Sequence, residues 1–241
     1  MYEEQFPAYE APPVDTSPRP FGEIPGLWVK VTQMTEAFFA EEAPRASGSN
    51  VLISLLILAV ITTIFSVISS LVGGGILAAL APPEARQELA VGVGQNVLSS
   101  ICSGIVGTLI GFYISNGLVY IGARIFGGSG SYGTQTYLQS LFFVPIGIVS
   151  AVVSLVYAIP VAGLCIGLVV WLALSIYGLI LSVRVVKVVH NLATGQAVAA
   201  ILVPVLVVTV AVACLFIMGL VILGPAIAEI FEDIVNNLQY Q

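Results

Sequence analysis

The first residue to test for chemistry is His190, the only histidine of the chain. An imidazole can move protons near neutral pH or bind a metal ion, but either role needs partner residues. The nearest charged residues are Arg184 and Lys187, and no carboxylate, cysteine or second histidine stands at ligand spacing. We therefore interpret His190 as an interfacial residue in a short loop, and we expect neither a metal ion nor a catalytic residue.

Residues 128–133, with the sequence GSGSYG, satisfy the G-x-G-x-x-G pattern of a dinucleotide-binding turn. That turn follows a strand and is completed by an acidic residue about 20 positions later. Here the run follows an apolar helical stretch, and no acid occurs between Glu88 and Glu229. We expect no nucleotide or other cofactor, and we interpret the run as a flexible loop whose Thr134 or Thr136 hydroxyl caps the next helix.

The possible nucleophiles, serine and cysteine, also lack partners. No Gly-x-Ser-x-Gly turn occurs, and Cys102, Cys165 and Cys214 stand singly in long apolar runs. A disulfide framework or a zinc site would need cysteines or histidines at defined spacings. We interpret the cysteines as small packing residues and expect no enzymatic activity.

The composition places the chain in the membrane. Hydrophobic residues make up 58% of the 241 residues, charged residues only 8%, and the mean hydropathy is +1.05, whereas soluble domains carry about 25% charged residues. Eight of the thirteen acids precede residue 43, so the formal charge of −6 belongs mainly to the N-terminal segment. The seven Lys and Arg residues are scattered singly, which argues against a nucleic-acid partner.

Charge-free stretches predict the spans, because a helix needs about 20 apolar residues to cross a hydrocarbon core of about 30 Å. We predict an all-α membrane protein, a bundle of about five transmembrane helices within a domain covering residues 51–225. The five spans are expected at about 51–72, 97–123, 137–157, 161–183 and 197–222.

Polar segments flank this bundle. Residues 1–24 are expected to be a disordered, acidic, Pro-rich cytoplasmic tail, and residues 226–241 an acidic C-terminal tail. Residues 25–43 are predicted to form an interfacial amphipathic helix, or alternatively an amphipathic helix packed on the cytosolic ends of the bundle. The apolar residues that recur there at helical spacing are Leu27, Val31, Met34 and Phe38.

The distribution of basic residues predicts the orientation, because cytoplasmic loops collect Lys and Arg. If the N-terminus is inside, only Arg86 lies outside the cell. The six cytoplasmic residues are then Arg19, Lys30, Arg45, Arg124, Arg184 and Lys187. An odd number of spans places the C-terminus outside.

Small residues recur at four-residue spacing inside the spans, a pattern that lets helix backbones approach closely in lipid. We expect close helix packing at Gly104, Gly107, Gly111, Gly163 and Gly167. The alternative is that the spans line a substrate path. Its polar candidates are Ser103, Tyr113, Ser115 and Asn116.

The order of these features resembles the Yip domain family, the Ypt/Rab-interacting-protein-like integral membrane proteins. The matching stretches are 127–135 (GGSGSYGTQ), 142–145 (FFVP) and 193–197 (ATGQA), and the resemblance covers roughly residues 27–225. Its loop signature comprises Gly128, Gly130, Tyr132, Gly133 and Pro145. The resemblance implies a five-span bundle with a cytoplasmic N-terminus.

Eukaryotic members of that family are associated with Rab-type GTPases and with vesicle traffic between endoplasmic reticulum and Golgi. The Asp-Leu-x-Gly-Pro and Tyr-Gly-Tyr elements expected of those members are absent from this sequence. GTPase binding is therefore not supported by the motifs. The chain is similar to the prokaryotic-type members, which makes the plasma membrane its expected location.

We therefore expect a non-enzymatic multi-pass membrane protein that acts as a membrane scaffold or interaction partner. Its expected partners are membrane lipids and either another membrane protein or a second copy of the chain. The alternative is a small-solute or lipid transport component, or an accessory subunit of an exporter. A continuous polar groove would favour transport, whereas a solidly packed bundle would favour a scaffold.

Overall fold

The computed structural model describes residues 16–159 and 162–239, so most of the predicted N-terminal tail lies outside the described residues. Within these ranges it describes only the backbone of residues 88–89, 102, 157–158, 162, 164, 223 and 225–239. All regular structure in the described part of the chain is helical. Five helices are long and apolar enough to cross a membrane, which confirms the predicted all-α membrane fold.

Two short helices, α1 (Ile24–Val29) and α2 (Glu36–Glu42), precede the bundle. The five long helices are α3 (Gly48–Leu80), α4 (Arg86–Ile125), α5 (Tyr132–Ser154), α6 (Ala162–His190) and α7 (Thr194–Gln239). At 1.5 Å of rise per residue, the 29 residues of α6 span about 43 Å. Because the hydrocarbon core is about 30 Å thick, its ends extend beyond it. The α7 backbone continues past residue 222 and stays helical through the acidic segment that begins at Glu229.

Helix α5 is the centre of the bundle. Helices α3, α4 and α6 all pack on it, and its most apolar window is 56% buried, against 28% or less for the other spans. Its first turns bury polar as well as apolar side chains, namely Gln135, Thr136, Gln139 and Ser140. Buried polar groups need hydrogen-bond partners. Thr136 and Ser140 donate to carbonyls of α5 itself, whereas Gln135 contacts α4 and α6 and Gln139 contacts α6, so the two glutamines tie α5 to its neighbours.

Helix α7 is peripheral. Near its N-terminus Ala197, Ala200 and Ile201 are buried against Ala123 and Val186. Beyond Pro204, between residues 205 and 222, nearly all the side chains are exposed on the bundle surface. The outer face between α4 and α6 is therefore left uncovered over much of the membrane depth.

The helix ends follow local sequence. Ser131 precedes α5, and its hydroxyl accepts a hydrogen bond from the backbone nitrogen of Thr134 at 3.1 Å. The prediction that Thr134 or Thr136 caps this helix is wrong, because Ser131 occupies the position before the first turn and Thr136 donates back to Tyr132 at 3.0 Å. Asn191, with a φ of 53°, follows the last residue of α6, and a left-handed residue at this position ends a helix.

Residues 16–47, which we term the N-terminal cap, cover one end of the bundle. Instead of one helix over residues 25–43, the cap has α1 and α2, because Met34 adopts an extended backbone before Thr35 starts α2. Helix α1 packs on α5 and helix α2 on α6. The cap residues Ile24, Leu27, Met34 and Phe39 are buried in the same core as α5 residues such as Tyr137.

Candidate functional site

Nearly all the positive charge of the protein lies at the end of the bundle that carries the cap, which we term the basic end. Arg86, at the start of α4, lies at the opposite end. The six basic residues of the basic end are Arg19, Lys30, Arg45, Arg124, Arg184 and Lys187. Their clustering follows from topology, because the cap, the end of α4 and the end of α6 all meet there.

A charged network closes the cap on itself. The Arg19 Nε donates to Oε2 of Glu42 at 3.0 Å, and Nη1 donates to Glu23 at 2.7 Å. The Glu42 side chain is only 3% exposed, and a buried carboxylate needs such a partner. The hydrogen bond to Glu42 raises the pKa of the Arg19 guanidinium above its already high usual value. The guanidinium of Arg19 therefore stays charged at any physiological pH.

This network also contacts the bundle. The amide of Asn50, on α3, donates to the backbone carbonyl of Arg19 at 2.7 Å. The hydroxyl of Tyr137, on α5, lies 3.4 Å from the Glu42 carboxylate. Two spans thus hold the ion pair from the membrane side.

Helix α6 binds the other part of the cap. Arg184 donates to the carbonyl of Met34 at 2.9 Å, and Tyr177 donates to the carbonyl of Val31 at 2.8 Å. Lys187 pairs with Glu36 at 2.9 Å, although both side chains are partly exposed. Hydrogen bonds to backbone carbonyls are directional, so these contacts hold the cap at a fixed position on α6.

His190 is the last residue of α6 and is 1% exposed, so its predicted place in an interfacial loop is wrong. The helix continues to this residue because Asn191, not a change in hydropathy, ends it. Its Nε2 lies 2.8 Å from Oε1 of Gln135, whose Nε2 donates to the backbone carbonyl of Asn116 at 3.0 Å. An uncharged chain of contacts therefore links α6, α5 and α4.

Two glycines of the predicted loop signature let the loop after α4 pack against the end of α6. A Cβ on Gly130 would lie 2.2 Å from the carbonyl oxygen of Val189. A Cβ on Gly128 would lie 2.8 Å from the Cβ of His190. The loop that sequence describes as flexible is thus packed closely on α6.

The remaining residues of the loop signature lie on α5. The Tyr132 hydroxyl donates to the carbonyl of Tyr113 on α4 at 2.9 Å, while a Cβ on Gly133 would meet nothing within 4 Å. Pro145 lies inside α5 and is half-buried. The structure therefore brings Gly128, Gly130 and Tyr132 to the basic end and separates Pro145 from them.

The five small residues proposed for helix packing have different surroundings. A Cβ on Gly104 would lie 2.2 Å from Oγ1 of Thr63 on α3, whereas one on Gly107 or Gly111 would meet nothing within 4 Å. Gly163 and Gly167 are buried. The shared packing role of the five stays a prediction.

Sequence reasoning missed a closer approach at Gly122. A Cβ there would lie 2.1 Å from the carbonyl oxygen of Ala200 on α7. No small residue stands four positions before or after Gly122, so the pattern that singled out the other glycines could not find it.

A cavity of about 410 Å³ lies among α4, α5 and α6. Of the four polar residues proposed for a path, Ser115 and Asn116 line it, whereas Ser103 and Tyr113 do not. No charged residue is among the described residues that line it. Its polar lining also includes Gln139, Ser150, Ser175 and Ser182, and its larger apolar residues are Phe112, Phe142, Phe143, Ile146, Trp171 and Leu174.

A second cleft, of about 520 Å³, lies among α3, α4 and α5. The two spaces share a wall made of Gly111, Phe112, Phe143 and Ser150, and the centroids of the two rings lie 5.0 Å apart. The aromatic pair thus stands between them.

The chemistry available to these arrangements is binding. Within the described ranges, no three His, Cys, Asp or Glu side chains are grouped so as to hold a metal ion. Cys165 and Cys214 are free and exposed on the bundle surface, so neither packs inside the bundle. His190 contacts an amide instead of a carboxylate or a nucleophile.

The comparison with protein families agrees with this architecture. The sequence model of the Yip1 domain matches residues 34–224, from the middle of the cap to the end of the fifth span. A search of curated proteins and a search of solved structures give no significant match. The matched range includes the glycine loop, His190 and the cavity, and it confirms the resemblance seen in the sequence. The chain belongs to the Yip1 domain family.

Proposed function

We propose that this protein is a non-enzymatic membrane scaffold that binds a partner membrane protein, or a second copy of itself, at the capped basic end. The observation that carries the proposal is the fixed position of the cap. Arg184, Tyr177 and Lys187 of α6 all bind it. A segment held at so many points presents a surface of defined shape, which is what a specific partner needs.

The charge distribution supports a cytoplasmic position for this surface. Six of the seven basic residues lie at the basic end, and positive residues remain on the cytoplasmic side during insertion. The N-terminus is then cytoplasmic and the C-terminus external. The plasma membrane is the proposed location.

A groove at the basic end offers a contact site. It measures about 510 Å³ and runs between α2 and the end of α6, and we term it the cap groove. Its residues are Glu36, Ala37, Ala40, Lys187, Val188, Asn191 and Leu192. Exposed alanines between a carboxylate and an ammonium group provide a small apolar surface with a polar rim, as protein interfaces do.

Transport, the alternative, has less support. A solute path needs a continuous opening, and the aromatic pair Phe112 and Phe143 stands between the two intramembrane spaces. Uncharged walls also offer no group for coupling to ions. The geometry favours binding over passage.

Site-directed photo-crosslinking in native membranes tests the scaffold. A benzophenone amino acid at Ala40 is expected to give an adduct of defined mass, either with a partner protein or at twice the mass of the chain. The matched control is the same probe at Gln87, which is exposed at the opposite end. No adduct from Ala40, or identical adducts from both positions, would contradict the proposal.

A further inference from the structure

The cavity among α4, α5 and α6 contains polar groups without partners. Asn116 is 4% exposed and lines the cavity; its Nδ2 donates to the carbonyl of Phe112 at 3.0 Å, but its Oδ1 accepts no hydrogen bond from any described residue. An unmet acceptor inside a membrane protein is costly. It is satisfied when a molecule in the cavity supplies an O–H or N–H group.

Of the four serines that line the cavity, three make no hydrogen bond to another described residue; the fourth, Ser182, donates to Oε1 of Gln139 at 3.4 Å. Ser103 and Thr108, which do not line it, donate to the carbonyl four residues earlier at 2.6 Å, the usual way to satisfy a hydroxyl in lipid. Among the described residues, Ser115, Ser150 and Ser175 have no such bond and all three line the cavity. Their hydroxyls remain available to a ligand.

The most polar part of the cavity lies at one depth. Asn116 is nine residues from the end of α4, Gln139 is seven from the start of α5, and Ser182 is eight from the end of α6. At 1.5 Å per residue, all three lie about 10–14 Å from the helix ends at the basic end. Ser182 precedes Arg184 by two residues on α6, which is about 3 Å of helix rise. Because a charged side chain is costly inside the hydrocarbon core, Arg184 places this level near the polar backbone region of the lipid.

The rest of the cavity extends from this polar level toward the membrane centre. From Ser182 to Trp171, eleven residues of α6 cover about 16 Å, which is about half of a 30 Å hydrocarbon core. Phe143 and Ile146 line this deeper part. The cavity thus has its amide groups at the polar level, and its deeper part is lined by apolar residues and glycine apart from Ser150 and Ser175.

The cavity is also accessible from the side. Helices α4 and α6 each pack on α5 but scarcely on each other, so α5 forms the floor between them. Helix α7, which joins α4 and α6 near the basic end, leaves the bundle beyond Pro204. A lipid can therefore enter from the surrounding leaflet without crossing the protein.

We propose that this cavity is a binding site for one uncharged lipid with a free hydroxyl, of the diacylglycerol class. The hydroxyl donates to Oδ1 of Asn116, the ester carbonyls accept from Gln139 and Ser115, and the acyl chain lies along Phe143 and Trp171. The uncharged wall fits a ligand without a phosphate, because a buried phosphate would need a Lys or Arg partner. The proposal is independent of partner binding at the cap groove.

Photolabelling tests the site. The full chain, in phosphatidylcholine vesicles, is labelled with a diacylglycerol that carries a photoreactive acyl chain, and the modified peptides are mapped. Labelling is expected on α4, α5 and α6 at cavity residues. Unlabelled diacylglycerol should compete about tenfold better than the same lipid with its hydroxyl acetylated, the effect of one buried hydrogen bond. Equal competition, or labelling only on the outer faces of the bundle, would overturn the proposal.

Two variants test whether Asn116 accepts the hydrogen bond from the lipid hydroxyl. Asn116→Leu keeps the side-chain size and leaves the backbone carbonyl that binds Gln135 in place, so the tenfold preference should disappear. Thr209→Val, on exposed α7, removes a polar group outside the cavity and should keep the preference. Preference retained by Asn116→Leu would refute the role of Asn116. If that variant does not insert, the competition on the unaltered chain decides the proposal.

Discussion

Arg19 and Glu42 are 23 residues apart in the sequence and form an ion pair, with Nε 3.0 Å from Oε2, that joins the two ends of the N-terminal cap. Tyr137 of the central helix α5 contacts the same carboxylate from the membrane side. A charge pair that would be weak on a surface is here largely buried. The packing of the cap on the bundle therefore depends on it.

Replacing Glu42 should release the cap. Glu42→Ala leaves the Arg19 guanidinium without its buried partner, and breaking such a pair costs about 3 kcal/mol, roughly a hundredfold in the fraction of detached cap. Trypsin should then cut at Lys30 much faster than in the unaltered protein. Glu41→Ala is the matched control, because Glu41 is the exposed neighbour. Equal cleavage of the two variants would show that the pair does not hold the cap.

Because the glycine loop is closely packed, alanine substitutions at Gly130 and Gly133 should affect the stability of the protein differently. Gly130→Ala would place a Cβ 2.2 Å from a backbone oxygen of α6, and such overpacking costs about 2 kcal/mol. The unfolding midpoint in detergent should fall by roughly 6 °C. Gly133→Ala has open space inside a helix and should leave the midpoint unchanged or raise it. A stable Gly130→Ala protein would contradict the close packing of this loop.

The close contact between α4 and α7 predicts that alanine substitutions at Gly122 and Gly117 should have different effects on the distance between the two helices. Gly122→Ala would bring a Cβ to 2.1 Å from the carbonyl of Ala200, so α7 must move away or the protein loses about 2 kcal/mol. A spin label pair on α4 and the first turns of α7 should report an increased distance. Gly117→Ala, on the same helix with nothing within 4 Å, should leave the distance unchanged. If both variants keep the original distance, α4 and α7 do not pack closely at Gly122.

The proposed orientation in the membrane predicts which loops react from outside. In a background with the native cysteines replaced by serine, an impermeant maleimide added to intact cells should label Glu84→Cys and spare Ser129→Cys. Both positions are exposed and lie at opposite ends of the bundle. After the cells are permeabilised, both should react. Labelling of Ser129→Cys alone in intact cells would reverse the proposed orientation.

The sequence alone was sufficient to predict that this is a membrane protein and that five of its helices are long and apolar enough to span a membrane. Lipid imposes a length and an apolar composition on every spanning helix, and both can be read residue by residue. It also identified Ser115 and Asn116 as polar residues of a possible groove. These conclusions need no knowledge of which helix lies beside which.

The partners of individual residues were decided only by the tertiary structure. His190 contacts Gln135, Gly122 approaches Ala200, and Gln139 and Ser182 join Asn116 in one cavity wall. In a membrane, lipid chains are as apolar as the side chains of a helix, so hydrophobicity alone does not show which face packs on which neighbour. Packing and hydrogen bonding between distant residues make that choice. The sequence therefore determined that the chain crosses the membrane five times, and the fold determined which of its few polar groups meet.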